Sequence, residues 1–407
     1  MFWFLILFYV FAPISIWLGF LSLRNGIRFI RYLQAELVKD YEPFLPFVSV
    51  FFPVRGVDEG LSENIAAVFG QDYPNYEVIF VSDAENDPAW PVIEDARRSF
   101  AGESGPTMQT VVAGPATGRG QKVHNLSTAI DHAHASSEIF VFVDSDARPQ
   151  PHWLGSLVAP LQDETLGAAT GYRWFVPVRG GLASHLLSVW NASIASALGS
   201  EMERNFCWGG STAIRRSAFT ACRVIEYWQH TVSDDFALTS ALRAANKPIK
   251  FVPQCLTASF ADCSFGELIE FTTRQLKITR AYAPHLWKPL LLGSALFVLV
   301  FFGGIGLVIA RALVGLSFAT PLVLLSLIFA MGAMKSHLRY RVVMIILNKT
   351  APSFAAAAAH MTLWPLASAL YLYNTIAAGL SRCITWRGIS YELKSPRETV
   401  VLSRRAS

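Results

Sequence analysis

The chemistry-bearing residues of this chain are spaced carboxylates. Asp144 and Asp146 stand one residue apart directly after Ile139-Phe140-Val141-Phe142-Val143, a β-branched and aromatic run that reads as a buried strand. At the C-terminal edge of such a strand, where open α/β sheets bind ligands, two acidic side chains need a cation. Mg²⁺ or Mn²⁺ bridging to phosphate oxygens would meet that need, since hard ions take oxygen ligands. An ordinary Asp-Ser-Asp turn closing the strand is the bland alternative. Thr231-Val-Ser-Asp234-Asp235 sets two more carboxylates at a predicted helix start, either functional groups or an acidic first turn favoured by the helix dipole. Asp83 follows the strand candidate Glu77–Val81, and Asp87-Pro88 lies just beyond. The Gly-rich stretch from Gly114 to Gly120 leads to Lys122 and Asn125. It lacks P-loop spacing, so a phosphate cradle and a solvated loop are equal readings.

Positioning these groups takes a sheet. Strand candidates at 47–52, 77–81, 107–112 and 139–143 alternate with helical stretches at 61–69, 88–100 and 123–135. Such alternation predicts an α/β fold with a mostly parallel sheet and helices on both faces. The acidic and Gly-rich loops all follow strands, on the side where a nucleotide binds. Beyond them come a strand at 166–172, an amphipathic helix at 182–198 and a Gly209-Gly210 turn entering a strand.

The 407 residues allow one sizeable core plus a second unit. With 52% apolar and 16% charged residues, the chain is too apolar for an ordinary soluble enzyme. The excess lies at the ends. Residues 1–23 are uncharged and precede Arg24, Arg28 and Arg31, which predicts an uncleaved anchor with residue 24 onward in the cytoplasm. A catalytic domain is expected over 40–260. An amphipathic interfacial helix follows over 261–287, with Arg274, Lys277 and Arg280 three apart on one face. Residues 288–381 form a membrane region with spans at 289–309 and 319–334. The stretch 342–380 holds two passes, or a re-entrant or interfacial piece, because one crossing would put the basic tail 382–407 outside. A net charge of +4, with cations beside apolar segments, favours a membrane surface over nucleic acid. Five scattered cysteines without a CxxC pair read as reduced, buried thiols.

In order and spacing these motifs resemble the membrane-bound family 2-type glycosyltransferases and, within them, the ceramide glucosyltransferase group, glycosyltransferase family 21. The likeness runs from about Phe47 to Leu393. Val48 to Asp58 resembles the first strand and its Gly-Val-Asp loop. Asp72-Tyr-Pro-Asn-Tyr-Glu-Val78 leads to the first aspartate, at Asp83 or Asp87. Asp144 and Asp146 match the second signature, and Asp235, with Asp234 beside it, the third. Lys122-Val-His-Asn125 resembles the loop before the second-aspartate strand, and Gly209-Gly210-Ser211 the small-residue turn near the acceptor. Trp386-Arg387-Gly388-Ile-Ser-Tyr391 resembles an element just after the last membrane segment. Arg274-Gln-Leu-Lys277-Ile278 departs from the (Gln/Arg)-X-X-Arg-Trp motif, with Lys for the second Arg and Ile for Trp. That leaves Arg280 or Tyr282 to share the diphosphate-side contact.

The resemblance implies a GT-A (Rossmann-like) nucleotide-sugar domain with N-terminal and C-terminal transmembrane helices. It implies an inverting transfer of a hexose, glucose foremost, from a UDP-sugar to the primary hydroxyl of a membrane lipid, ceramide foremost, with Mg²⁺ or Mn²⁺. Asp235 is the expected base, grouped with Asp234, Arg274 and Lys277. The donor side comprises Asp83 or Asp87, Lys122, Asn125, Asp144, Arg280, Trp386 and Arg387, and the metal ligands are Asp144 and Asp146. A hopanoid or polyprenyl phosphate acceptor is the alternative within the class, and a catalytically dead nucleotide-sugar-binding protein the alternative outside it. The expected location is a bacterial inner membrane with the catalytic domain cytoplasmic.

Overall fold

The structure is a computed structural model that describes residues 2–39, 41–100, 105–347 and 353–404. The expected domain limits at 1 and 40, residues 348–352 of the 342–380 region, and 405–407 of the tail lie outside the described residues. Helix α1 (Phe2–Leu37) is followed by β1 (Val48–Pro53), α2 (Leu61–Phe69), β2 (Tyr76–Ser82), α3 (Ala89–Ser99), β3 (Thr107–Val112), α4 (Gln121–Ile130) and β4 (Ile139–Phe142). Next come α5 (Trp153–Val158), β5 (Ala168–Val176), α6 (Leu182–Ala195), β6 (Thr212–Arg215), α7 (Arg216–Ala221), α8 (Val224–Trp228), α9 (Asp234–Ala244) and β7 (Ile249–Phe260). Helices α10 (Phe265–Tyr282), α11 (Pro284–Leu313), α12 (Ala319–Ile346), α13 (Phe354–Thr362) and α14 (Trp364–Leu380) precede β8 (Cys383–Trp386), β9 (Ile389–Ser395) and β10 (Glu398–Arg404).

The chain divides into two units. The sheet unit comprises Ala35–Val176, Ala197–Ala261 and Arg382–Ser407, and the helical unit Met1–Gln34, Pro177–Ser196 and Asp262–Ser381. Helix α6, expected inside the catalytic domain, therefore belongs to the helical unit, and the segment expected as a tail belongs to the sheet unit.

The seven-stranded sheet has the order β3-β2-β1-β4-β6-β5-β7. Its first four strands are parallel, and β6 runs antiparallel between β4 and β5. Every residue of β1, β2 and β4 is buried, the pattern of parallel strands covered on both faces. Phe51 and Phe142 stack across β1 and β4 at 5.5 Å between centroids. Because the chain winds from β1 to β2 on one side and later to β4 on the other, the loops after β1 and β4 flank a topological switch point. The edge strand β7 escapes sequence reasoning because Pro253 speaks against a strand, yet at an edge the missing donor is tolerated.

Strands β8 to β10 form a second, antiparallel sheet. Ile389, Tyr391 and Leu393 alternate inward at 0, 2 and 1% exposure. The two-residue β8–β9 turn is Arg387-Gly388 with φ of 50 and 74°, the primed geometry that fits strand twist.

In the helical unit, three helices are long and apolar enough to cross a membrane among the described residues: 3–37, 284–313 and 319–346. Helix α1 runs on through Arg24, Arg28 and Arg31 to Leu37, well past the expected end at residue 23. Helix α12 likewise continues beyond Met334 through the basic cluster and absorbs the stretch at 342–346. Helices α13 and α14 meet at Leu363, just before Pro365, with 9 and 17 residues. Both fall short of the ~20 residues that a crossing takes. Helix α10 opens with a reciprocal Ser264–Glu267 capping box and ends at Ala283, because Pro284 begins α11. Residues 284–287 of the expected interfacial segment are thus the start of a span. Helix α10 lies on α14, where Thr273 Oγ1 donates to Asn374 Oδ1 at 3.0 Å.

Candidate active site

The Asp144-Ser145-Asp146 loop leaves the end of β4 at the switch point. Its middle residue is an anchor: Ser145 Oγ donates to Asp58 Oδ2 at 2.5 Å, and the Ser145 carbonyl accepts from Asn64 Nδ2 at 2.9 Å. Two cations engage its outer residues. Lys122, in the first turn of α4, reaches Asp144 Oδ1 at 2.6 Å and Asp234 Oδ2 at 3.0 Å. Arg173 of β5 bridges the pair, with Nη2 at 3.0 Å from Asp144 Oδ2 and Nη1 at 2.9 Å from Asp146 Oδ2. Its guanidinium also lies over the Trp208 ring at 4.9 Å.

This arrangement separates the two loop carboxyls electrostatically. Burial pushes Asp144 up, but Lys122 and Arg173 outweigh it and hold the group below the ordinary carboxylate value. Burial raises Asp146, with Arg173 opposing and Asp144 and Asp58 adding to the rise. Burial also pushes Asp234 up to about 6, against Lys122 and helped by Asp235 and Asp144. A Cβ at Gly209 would strike Asp234 Oδ2 and come within 2.6 Å of Lys122 Nζ, so a side chain there would displace this ion pair.

Asp234 and Asp235 open α9, whose N-cap is Ser233. The Asp234 residue is 4% exposed, whereas Asp235 is half-buried. Asp235 Oδ1 accepts from the Phe236 amide at 2.7 Å and from Ser233 Oγ. Both readings of this acidic pair therefore hold physically: it caps a helix, and it stands beside Lys122.

Asp83 and Asp87 have different surroundings. Asp87 is 1% exposed and accepts from Ser82 Oγ at 2.6 Å, the Gly56 amide at 3.0 Å and the Ala89 amide at 2.9 Å, which fixes the entry to α3. Asp83 lies 3.1 Å from Arg55 Nε and 3.9 Å from Arg404 Nη1. The hairpin tip also docks here. Arg387 Nη2 is 2.5 Å from Asp58 Oδ1, its Nη1 donates to the Arg55 carbonyl at 3.3 Å, and the Arg55 guanidinium donates back to the Arg387 carbonyl. Trp386 precedes this tip, half-buried, at the end of β8. Tyr391 accepts from the Gln121 amide at 3.1 Å, and Arg404 Nη1 donates to Gln121 Oε1 at 2.7 Å. Asn125 is 2% exposed and its carboxamide oxygen accepts from Gln121 Nε2 at 2.8 Å, so it braces α4.

Arg274, Lys277 and Arg280 lie on α10 in the helical unit. Arg274 sits over Phe271 at 5.4 Å. Arg280 donates to the Ala378 carbonyl and lies over Trp287 at 5.3 Å, which satisfies an orphan carbonyl in the last turn of α14.

The two loop carboxylates are hard oxygen donors of the type a divalent ion takes, and in this structure both Asp144 oxygens and Asp146 Oδ2 are held instead by Lys122 and Arg173. No group of three or more His, Cys, Asp or Glu side chains able to hold a metal occurs among the described residues. An all-protein cage is thus missing from that set, while one or two carboxylates completed by substrate phosphates are the usual Mg²⁺ donor set. The Asp146 side chain is 38% exposed and open to such a partner.

The sequence model of glycosyl transferase family 21 matches residues 7–399. The chain belongs to glycosyltransferase family 21. This family 21 chain is 31% identical over 135 residues to a ceramide glucosyltransferase of Gibberella zeae, covering 30% of this chain and 24% of that protein. It is 24% identical over 253 residues to ceramide glucosyltransferase 1 of Caenorhabditis elegans, covering 60% of this chain and 52% of that one. The family 21 chain thus spans about a quarter and a half of the lengths of these relatives. Among solved structures it is similar to a mannosyltransferase of Pyrobaculum calidifontis in complex with GDP-Man and Mn²⁺, at 17% identity and a TM-score of 0.47, covering 91% of this chain and 98% of that one. The mixed α/β sheet, with a candidate span near the N-terminus, is the architecture that the GT-A resemblance implied.

Sequence reasoning missed Arg173, Arg55, Arg404 and the anchoring role of Asp58. A signal existed for Arg173, a lone charge inside the apolar strand Gly171-Tyr-Arg-Trp-Phe-Val176. Arg55 and Arg404 join Asp83 only through tertiary packing.

Proposed function

We propose that this family 21 chain is an inverting glycosyltransferase that moves a hexose, glucose foremost, from a UDP-sugar to the primary hydroxyl of a membrane lipid, ceramide foremost. The observation that carries this reading is the cluster of Asp144, Asp146, Lys122, Arg173 and Asp234 at the switch point of the sheet. Paired carboxylates with adjacent fixed cations suit a diphosphate and its metal. The named relatives support the acceptor class.

Asp144 and Asp146 would hold Mg²⁺ or Mn²⁺, which when bound supplies Lewis-acid neutralisation of the leaving diphosphate. Lys122 holds Asp144 ionised for that task and links it to α9. Arg173, already between the two loop carboxylates, is placed to transfer part of its charge stabilisation to the departing phosphate oxygens. Asp83, flanked by Arg55 and Arg404, is the better nucleoside contact, because the oxygens of Asp87 are committed to its own loop. Asp235 takes the proton of the lipid hydroxyl as that oxygen attacks the anomeric carbon, the sugar–phosphate bond breaks and UDP leaves. One displacement inverts the anomeric centre, so an α-linked donor yields a β-glycoside. Arg274 and Lys277 would serve the acceptor side.

The catalytic face is cytoplasmic in this reading, in a bacterial inner membrane. The test is incubation of expressing membranes with a panel of labelled UDP-sugars and with ceramide, hopanoid or polyprenyl phosphate, followed by lipid mass spectrometry and NMR of the anomeric linkage. A β-linked hexosylceramide supports the proposal. Exclusive labelling of another lipid class, or an α-linked product, overturns the acceptor or the mechanism.

A further inference from the structure

Strand β10 ends at Arg404, whose guanidinium reaches the loop that leads into α4. Its Nη1 donates to Gln121 Oε1 at 2.7 Å and lies 3.9 Å from Asp83 Oδ2, and its Nη2 donates to the Ala116 carbonyl. Gln121 is 4% exposed. Its carboxamide oxygen also accepts from the Ala116 amide at 2.9 Å, and its Nε2 donates to the Gly114 carbonyl and to Asn125 Oδ1, each at 2.8 Å. A carboxamide offers two lone pairs and two N–H groups, so Arg404 takes the last place on Gln121.

The start of α4 leans on the same C-terminal sheet. Its N-cap, Gly120, has no side chain to accept from the first amides, and the Gln121 amide donates instead to the Tyr391 hydroxyl of β9 at 3.1 Å. Lys122, the next residue, holds Asp144 and Asp234. Tyr391 and Arg404 thus fix the helical turn from which that ammonium extends. Arg404 also brings a second positive charge to a carboxylate that Arg55 already pairs at 3.1 Å. Its own hydrogen bonds go to the neutral oxygens of Gln121 and Ala116, so its charge is left over for an anion such as a nucleotide diphosphate.

We infer that Arg404 is a positioning residue for the nucleotide-sugar, acting through Gln121, the 114–116 loop and Asp83. The inference rests on the proposed UDP-sugar donor and adds the C-terminal sheet to the donor site.

The test uses the full chain in neutral detergent with Mn²⁺, and reads UDP affinity by calorimetry beside the thermal midpoint without UDP. Arg404→Gln should weaken UDP binding about tenfold, the worth of one hydrogen bond to a charged group. Arg404→Lys, which keeps the charge but loses the fork, should recover part of that loss. Added salt should weaken wild-type binding more steeply than binding to Arg404→Gln. Arg397→Gln, at an exposed position of the same hairpin, should bind UDP as wild type does. A purely structural strut would lower the thermal midpoint and leave UDP affinity and its salt dependence unchanged in the folded variant, and that result overturns the inference. An equal loss in Arg397→Gln overturns it too. If wild type binds no UDP, the donor reading falls and the inference with it. If Arg404→Gln fails to fold, Arg404→Lys and Tyr391→Phe decide, and wild-type affinity in both overturns the inference.

Discussion

Lys122 and Asp234 are joined by a 3.0 Å ion pair, and the same ammonium holds Asp144 at 2.6 Å. One side chain from the first turn of α4 thereby ties the carboxylate after β4 to the carboxylate that opens α9. Lys122→Met should leave two buried carboxylates without their shared cation. Breaking one side of a buried pair costs about 3–5 kcal/mol, so the thermal midpoint should fall by several degrees and transfer should cease. Adding Asp234→Asn should recover part of the lost midpoint, as coupled neighbours do in a double-mutant cycle.

The raised Asp234 carboxyl gives stability a sign with pH. Its folded value of about 6 exceeds the ordinary 3.8, mainly through burial, so the folded protein binds more protons between those values. Stability from this group is fully present below about pH 4 and declines as pH rises through about 6, by on the order of 3 kcal/mol. Thermal midpoints of wild type and Asp234→Asn, taken from pH 4 to 7, should diverge with wild type falling the more steeply. Parallel curves would show that Asp234 does not titrate in this window.

Asp235→Asn keeps the helix cap, because Ser233 is the N-cap and an amide oxygen still accepts from Phe236. Transfer should nevertheless drop by roughly 10²- to 10⁴-fold, the usual worth of a general base. Calorimetric UDP-sugar binding should be unchanged. Full turnover would remove Asp235 from the base role.

Arg387 holds a left-handed φ of 50° and pairs with Asp58, which in turn accepts from Ser145 in the loop between Asp144 and Asp146. Arg387→Gly removes the charge and suits the turn, since glycine adopts positive φ without steric cost. The β8–β9 hairpin should persist, while the KM for the UDP-sugar rises about tenfold, as expected for the loss of about 1.4 kcal/mol. An unaltered KM would make the Asp58 contact purely structural.

The parallel half of the sheet was legible because β1, β2 and β4 are mostly apolar runs, interrupted only by Ser49, Glu77 and Ser82, and their acidic loops stood out at the strand ends. Residue spacing left Asp83 and Asp87 equivalent, and packing distinguishes them, since only the Asp87 oxygens are consumed by Ser82, Gly56 and Ala89. The second sheet had a readable signal, the Arg387-Gly388 turn between alternating residues, which its basic charge obscured. Helix α6 was legible as a helix, but its place in the helical unit depends on partners such as Tyr371, far away in sequence.

The most direct measurement is lipid mass spectrometry after purified wild type and Asp235→Asn are each given isotopically labelled UDP-glucose, ceramide and Mn²⁺. The expected result is a labelled hexosylceramide from wild type, lost when the metal is chelated and formed at least about a hundredfold more slowly by the variant. Equal product from both proteins, or no labelled lipid from wild type with any UDP-sugar, would contradict the proposed lipid glycosylation at this site.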